Sequence, residues 1–231
     1  IDLNKLSPVF EAIERIKAAL PSETSLIGFC GAPWTVASYM IAGRGTPDQK
    51  PARLFAFQNP DLFQNLIDLL VRSSIDYLER QFKAGVESVQ IFDSWAGVLP
   101  QTEFEKWCLK PIIAIVEGLK TRVPHARIIA FPRGVGSHLE AFAGHKGINA
   151  LSLDTSADLG WVAREIQPKK TVQGNLDPFA LIAGGRALDE SIDRIKQAFD
   201  GKPYIFNLGH GILPETPIAH VEQLVARVRG A

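Results

Sequence analysis

Apolar positions along the chain alternate between two rhythms. Short runs rich in β-branched and aromatic residues, at 26–30, 88–93, 127–131, 150–154, 171–174 and 204–207, read as buried strands. Between them apolar residues recur every three or four positions, the spacing of one helix face. Phe63, Leu66, Ile67, Leu70, Ile75, Leu78 and Phe82 put a broad apolar face on a helix over 61–82, which Gly85 closes. Phe104, Trp107, Cys108, Ile112, Ile115 and Leu119 do the same over 102–122. Pro111 lacks an N–H and is expected to kink or split that helix. Shorter helices are predicted over 137–145, 157–166, 188–199 and 217–229, and an amphipathic pattern already runs from Leu6 through Val9, Phe10, Ile13 and Ile16 to Leu20.

Strand followed by helix, repeated from end to end, argues for parallel strands joined by crossover helices. No low-complexity, repetitive or linker-like stretch interrupts the pattern, so one domain over 1–231 is expected. Two α/β architectures fit: an open doubly wound sheet, or part of a (β/α)8 barrel. A doubly wound nucleotide-binding sheet would carry G-x-G-x-x-G or a P-loop after a strand, and Gly28-Phe29-Cys30-Gly31 is neither. Groups able to do chemistry instead follow several different strands: Ser94, Arg133, Asp154, Asn175, Asp177 and His210. A barrel assembles its site from many strand ends at one face, which favours the barrel, with about six of its eight β/α units in this chain. The other two are expected before Ile1.

Composition adds limits rather than identity. A chain of 231 residues that is 46% hydrophobic can bury a sizeable core. Lys plus Arg and Asp plus Glu both number 25, so no basic excess recommends a nucleic acid or an anionic membrane as partner. No apolar stretch approaches the roughly 20 residues of a membrane span, and the start lacks the pattern of a signal peptide, so a cytoplasmic protein is expected. Cys30 and Cys108 sit far apart without metal-ligand spacing, which predicts buried free thiols and no metal site.

The most unusual local pattern is Asn207-Leu208-Gly209-His210-Gly211, directly after the apolar run Tyr204-Ile205-Phe206. Glycines on both sides allow close approach of the backbone, and imidazole supplies a hydrogen-bonding group that titrates near neutral pH. Alone, the run could be a turn whose histidine caps a neighbouring element. It is accompanied by Gly28-Phe29-Cys30-Gly31-Ala32-Pro33-Trp34-Thr35 with Tyr39-Met40, by Phe92-Asp93-Ser94-Trp95-Ala96-Gly97, and by Gln173-Gly174-Asn175-Leu176-Asp177-Pro178.

With these motifs in this order, the chain resembles the uroporphyrinogen decarboxylase family over essentially its whole length. The resemblance implies a (β/α)8 barrel, usually a homodimer, that needs no cofactor and binds uroporphyrinogen. It converts the four acetate side chains of uroporphyrinogen III into methyls, giving coproporphyrinogen III in haem biosynthesis. It also implies substrate-binding roles for residues of this chain: Tyr39, Ser94 and His210 as hydrogen-bonding groups, with Phe29, Gly31, Phe92 and Phe131 lining the cleft. The family's catalytic aspartate and arginine-rich substrate-binding segment have no counterpart here. The catalytic residue is therefore unassigned and expected before Ile1, and the chain alone is expected to be inactive. Two positions depart from the usual pattern: Phe131-Pro132-Arg133-Gly134 stands where many relatives carry Lys-Asp or Lys-Gly, and Trp95 where a histidine is sometimes found.

Plainer readings stand beside these. Tyr39, in an apolar helix opened by Pro33, would ordinarily be a core residue, and Ser94 a turn or cap serine. Phe29, Phe92 and Phe131 would be counted as core. Asp177 before Pro178 reads as a helix cap followed by proline in the first turn, a structural role. Asp93 and Asp154 are strand-end carboxylates and rivals for acid–base work, though neither matches the family's catalytic position. A zinc-dependent corrinoid or coenzyme-M methyltransferase on the same barrel would need H-x-C and a later cysteine. Neither Cys30 nor Cys108 has a histidine two residues before it. A non-catalytic tetrapyrrole-binding barrel remains compatible with the residues present.

Overall fold

Each run read as a strand forms one in the computed structural model, which describes residues 2–230. The chain divides into two compact units. One comprises the chain up to Val135 with His145–Asn149, and the other Gly136–Gly144 with the chain from Ala150 onward.

In the first unit a 3-10 turn, Leu3–Leu6, leads into α1 (Ser7–Ala19), β1 (Ile27–Gly31), α2 (Pro33–Ala42), α3 (Lys50–Gln58), α4 (Pro60–Lys83) and β2 (Ser88–Asp93). After β2 come α5 (Gln101–Phe104), a π-helical turn (Glu105–Leu109), α6 (Lys110–Arg122) and β3 (Ile128–Pro132). The strands are parallel, with Gly31 opposite Phe92 and Phe92 opposite Phe131. Val89, Ile91, Ile128 and Ala130 on the alternate face are fully buried. The apolar face of α4 is as the periodicity predicts for Phe63, Ile67, Leu70, Ile75 and Leu78, all buried, whereas Leu66 and Phe82 are only partly so.

A cluster of Trp34, Ala37, Ala52, Ala56, Phe63, Ile67, Leu70 and Trp107 joins α2, α3 and α4 to the π turn. The Phe63 ring meets Trp34 and Trp107 edge-on, with centroids 5.9 and 4.7 Å away. Such aromatic pairs add to the burial of large rings, about 2–3 kcal/mol for each ring of this size. Helix α3 was not predicted. It fully buries only the small residues Ala52 and Ala56, sets Phe55 half-buried against the cluster and leaves Leu54 and Phe57 exposed, so its apolar pattern is weak.

Pro111 neither breaks nor divides the helical path as expected. It takes the second position of α6, where its missing N–H costs little, and the preceding residues pass through the π turn with Lys110 N–H bonded to Glu105 C=O.

The second unit holds a 3-10 turn (Gly136–His138), α7 (Leu139–Ala143), β4 (Ala150–Ser152), α8 (Leu159–Trp161) continued by a π turn (Val162–Ile166), β5 (Thr171–Gln173), α9 (Pro178–Ala183), α10 (Gly185–Ala198), β6 (Tyr204–Ile205) and α11 (Ile218–Arg229). Its strands are parallel too, with Ser152 opposite Gln173 and Gln173 opposite Ile205. They end earlier than predicted, and a bridge between Leu176 and Leu208 prolongs the last pairing. Helices α7 and α8 are shorter than the predicted 137–145 and 157–166. Asp158 sets the start of α8 by accepting the Trp161 N–H at 2.6 Å. Asp177 caps α9, accepting the Phe179 N–H at 2.9 Å, with Pro178 in the first turn as the sequence indicates. No described helix is long and apolar enough to cross a membrane.

Candidate functional site

Side chains alternate across a strand, so Phe29 and Gly31 of β1, Phe92 of β2 and Phe131 of β3 share one face of the first unit's strands. The Phe92 ring stands edge-on to both Phe29 and Phe131, each centroid 5.9 Å away. The row is open at one end. Phe29 is 59% exposed and Phe92 half-buried, while Phe131, at 5%, lies behind Phe92 and backs it. A Cβ at Gly31 would come within 2.8 Å of the Val36 side chain, so this glycine lets α2 pack against the end of β1.

Helix α2 begins where β1 stops and carries Tyr39, 43% exposed, to the rim of this face. The Tyr39 ring meets Trp95 edge-on at 6.4 Å. Trp95 follows Ser94, half-buried in the turn after β2. The structure therefore gathers Phe29, Gly31, Phe92, Phe131, Tyr39 and Ser94 within one unit. Tyr39 thus stands against Trp95, and Ser94 lies in the turn that carries Trp95.

His210 belongs to the second unit and is exposed. Its Nδ1 accepts the Gly211 N–H at 2.6 Å, which puts the ring proton of the neutral form on Nε2 and makes that nitrogen a donor. Gly209 is required here: a Cβ would lie 2.6 Å from the Thr155 nitrogen. Asn175 holds the adjoining turn by donating to the backbone oxygens of Asp154 at 2.9 Å and Ala157 at 3.2 Å. The Asp154 carboxylate accepts the Ser156 N–H at 2.8 Å, a turn-stabilising role.

Two positioning groups escaped the sequence reading. Gln81, buried on α4, accepts the Phe29 N–H at 3.0 Å and donates to the Phe29 C=O at 2.8 Å. The signal was a glutamine at apolar-face spacing, one turn after Leu78. Thr35, buried in the first turn of α2, donates through Oγ1 to Asp93 at 2.6 Å and accepts the Trp95 N–H at 3.3 Å.

Asp93 is fully buried at the end of β2. Desolvation pushes its carboxyl up to about 6 from an ordinary 3.8, against the lowering effect of the Cys108 thiol and the Thr35 hydroxyl. Burial also pushes the Cys30 thiol up to about 12, and burial with the neighbouring Asp93 holds Cys108 protonated. Both cysteines are buried free thiols, as expected. Among the described residues no group of three or more His, Cys, Asp or Glu is placed to hold a metal ion.

The sequence profile described as Uroporphyrinogen decarboxylase (URO-D) matches residues 1–231. Proteins named uroporphyrinogen decarboxylase from Chelativorans sp. (strain BNC1) and Agrobacterium fabrum (strain C58) are each 52% identical to this chain, covering 98% and 97% of it and 66% and 65% of their own lengths. The chain thus spans about two thirds of the length of the curated relatives it matches. Among solved structures it is similar to a methyltransferase from Methanosarcina mazei, with a TM-score of 0.80 at 21% identity over 96% of this chain and 63% of that one. A B12-independent methionine synthase from Shewanella sp. W3-18-1 gives 0.68 at 12% identity, over 96% of this chain and 66% of that one. At such identities the likeness is one of fold, and the β/α order of this chain fits about six units of a (β/α)8 barrel.

Proposed function

Because this chain belongs to the uroporphyrinogen decarboxylase family, we propose that it supplies the substrate-binding face of an enzyme that decarboxylates the acetate side chains of uroporphyrinogen III to give coproporphyrinogen III. A pyrrole acetate loses CO2 readily once the ring is protonated at a carbon, because the iminium-like cation draws in the electron pair of the breaking C–C bond. The resulting enamine-like methylene takes up a proton and becomes a methyl, and the ring carbon then releases the proton it had gained, which restores the pyrrole. The substrate is its own electron sink, so no metal or organic cofactor takes part. The protein's tasks are to hold the macrocycle, bind its carboxylates, stabilise the transient cation with a carboxylate and exclude water.

This chain's residues suit the first two tasks. The exposed Phe29, set edge-on against Phe92, offers an apolar face to the pyrrole rings of the macrocycle. The Tyr39 and Ser94 hydroxyls and the His210 Nε2–H are donors suited to carboxylates. Ser94 is a binding group and not a nucleophile, since no base or G-x-S-x-G elbow accompanies it. The observation that carries this reading is the exposed Phe29 ring set against Phe92 in the unit where Ser94 follows β2 and Tyr39 meets Trp95. The carboxylate that stabilises the cation and the arginine anchors belong, on this reading, to sequence outside these residues. A cytoplasmic homodimer is the proposed setting.

The test is consumption of uroporphyrinogen III, under reducing and anaerobic conditions, by the protein as its gene encodes it. Coproporphyrinogen should accumulate, and exhaustive dialysis against a chelator should leave the rate unchanged. Activity that depends on added zinc would instead assign the chain to methyl-transfer chemistry.

A further inference from the structure

We infer that Asp93 is a positioning residue which, through Thr35, holds the two hydroxyl donors Ser94 and Tyr39 in register. The role assigned to those donors rests on the decarboxylase reading; the geometry of the link stands by itself. Asp93 is 0% exposed, and its Oδ1 accepts the Thr35 hydroxyl proton at 2.6 Å. The same Thr35 oxygen accepts the Trp95 N–H at 3.3 Å, so it bridges the end of β2 to the turn that follows. Trp34 closes a second link, its indole N–H donating to the Trp95 C=O at 3.0 Å. Both backbone groups of Trp95 are thereby fixed by the first turn of α2. Ser94 lies between Asp93 and Trp95, so its backbone position follows from these bonds.

Tyr39 is set by the same device. Thr35 and Tyr39 are four residues apart on α2, hence on one side of the helix, and Tyr39 rests edge-on against Trp95. The turn is also fastened from its far side. Arg133 N–H donates to the Asp93 C=O and Gly97 N–H to the Arg133 C=O, each at 3.0 Å. Gly97 and Gly134 approach so closely that a Cβ on Gly97 would lie 2.5 Å from the Gly134 oxygen. Among the described residues the second carboxyl oxygen, Oδ2, has no hydrogen-bond partner of ordinary geometry, and the Cys108 thiol and the Thr35 backbone N–H also face the carboxyl. A carboxyl fully withdrawn from water at a strand end is a costly device for stability alone, which points to alignment as its purpose.

The test compares Thr35→Val, Thr35→Ser, Asp93→Leu and Asp93→Asn in the protein as encoded, by amide hydrogen exchange at Trp95 and by kcat/KM for uroporphyrinogen III. Losing the bridge in Thr35→Val and Asp93→Leu should speed exchange at Trp95 and lower kcat/KM, each about tenfold or more. Thr35→Ser and Asp93→Asn, which keep the hydroxyl and its acceptor, should restore both. Unchanged exchange at Trp95 in Thr35→Val would overturn the inference, and so would faster exchange with unaltered kcat/KM. If Asp93→Leu fails to fold, the Thr35 pair decides. A wild-type protein inactive on uroporphyrinogen would sink the decarboxylase reading, and the exchange measurement would still judge the link.

Discussion

Asp93 is visible in sequence as a strand-end carboxylate, and its burial defines what it can do. A strand-end carboxylate beside a serine looks like a candidate acid or base, but its burial reveals a group that cannot reach a substrate. Its environment has a consequence for stability. The folded-state carboxyl titrates at about 6 against an ordinary 3.8, faced by the Thr35 hydroxyl and the protonated Cys108 thiol, so folding favours the neutral acid. The contribution is fully present below about pH 4 and is lost as pH rises through 6. Denaturant unfolding should therefore show wild type losing stability relative to Asp93→Asn between pH 4 and 7, on the order of 2–3 kcal/mol. Parallel stability profiles for the two proteins would mean that Asp93 is charged in the folded state. Among the donors, His210→Ala and Tyr39→Phe should each lower kcat/KM by about 1–3 kcal/mol of lost hydrogen bonding. His125→Ala, an exposed residue whose ring only touches Phe82 at 6.2 Å, should leave kcat/KM unchanged. Equal losses at His210 and His125 would place the site elsewhere.

Elements were legible where burial is wide and regular. The α4 face and the places of the strands follow from periodicity, because each buries large apolar groups at fixed spacing. Helix α3 was hidden because its fully buried positions are alanines while Leu54 and Phe57 face outward, and the outcome at Pro111 because a π turn, which sequence spacing does not announce, precedes the proline. Gln81 was overlooked because its partners are backbone atoms 52 residues away, an interaction with no local signature. Gln81→Leu should remove both bonds to Phe29 and leave two backbone groups of β1 unmatched, costing about 1–3 kcal/mol in denaturant unfolding. A stability within a few tenths of a kcal/mol of wild type would show that water replaces the glutamine. Phe63→Ala, at the centre of the aromatic cluster joining α2, α3 and α4, should cost about 3–5 kcal/mol by the same measurement. A markedly smaller loss would mean that the cluster collapses around the gap.

At the scale of the molecule, four short motifs and the β/α rhythm were enough to indicate the family and the barrel-type fold, because both depend on strand-end residues that recur in fixed order. Which hydroxyls stand beside exposed rings was not legible, since exposure at Phe29 and Tyr39 depends on how α2 packs at Gly31 and Val36. The proposed chemistry makes the macrocycle its own electron sink, with CO2 leaving before solvent supplies the proton of the new methyl. The most direct test is the mass of the product formed from uroporphyrinogen III in D2O by the protein as encoded. Each new methyl should carry one solvent-derived deuterium, with one CO2 lost for each acetate converted. A substrate whose carboxyl carbons are all retained, or methyls that gain no deuterium, would contradict the account.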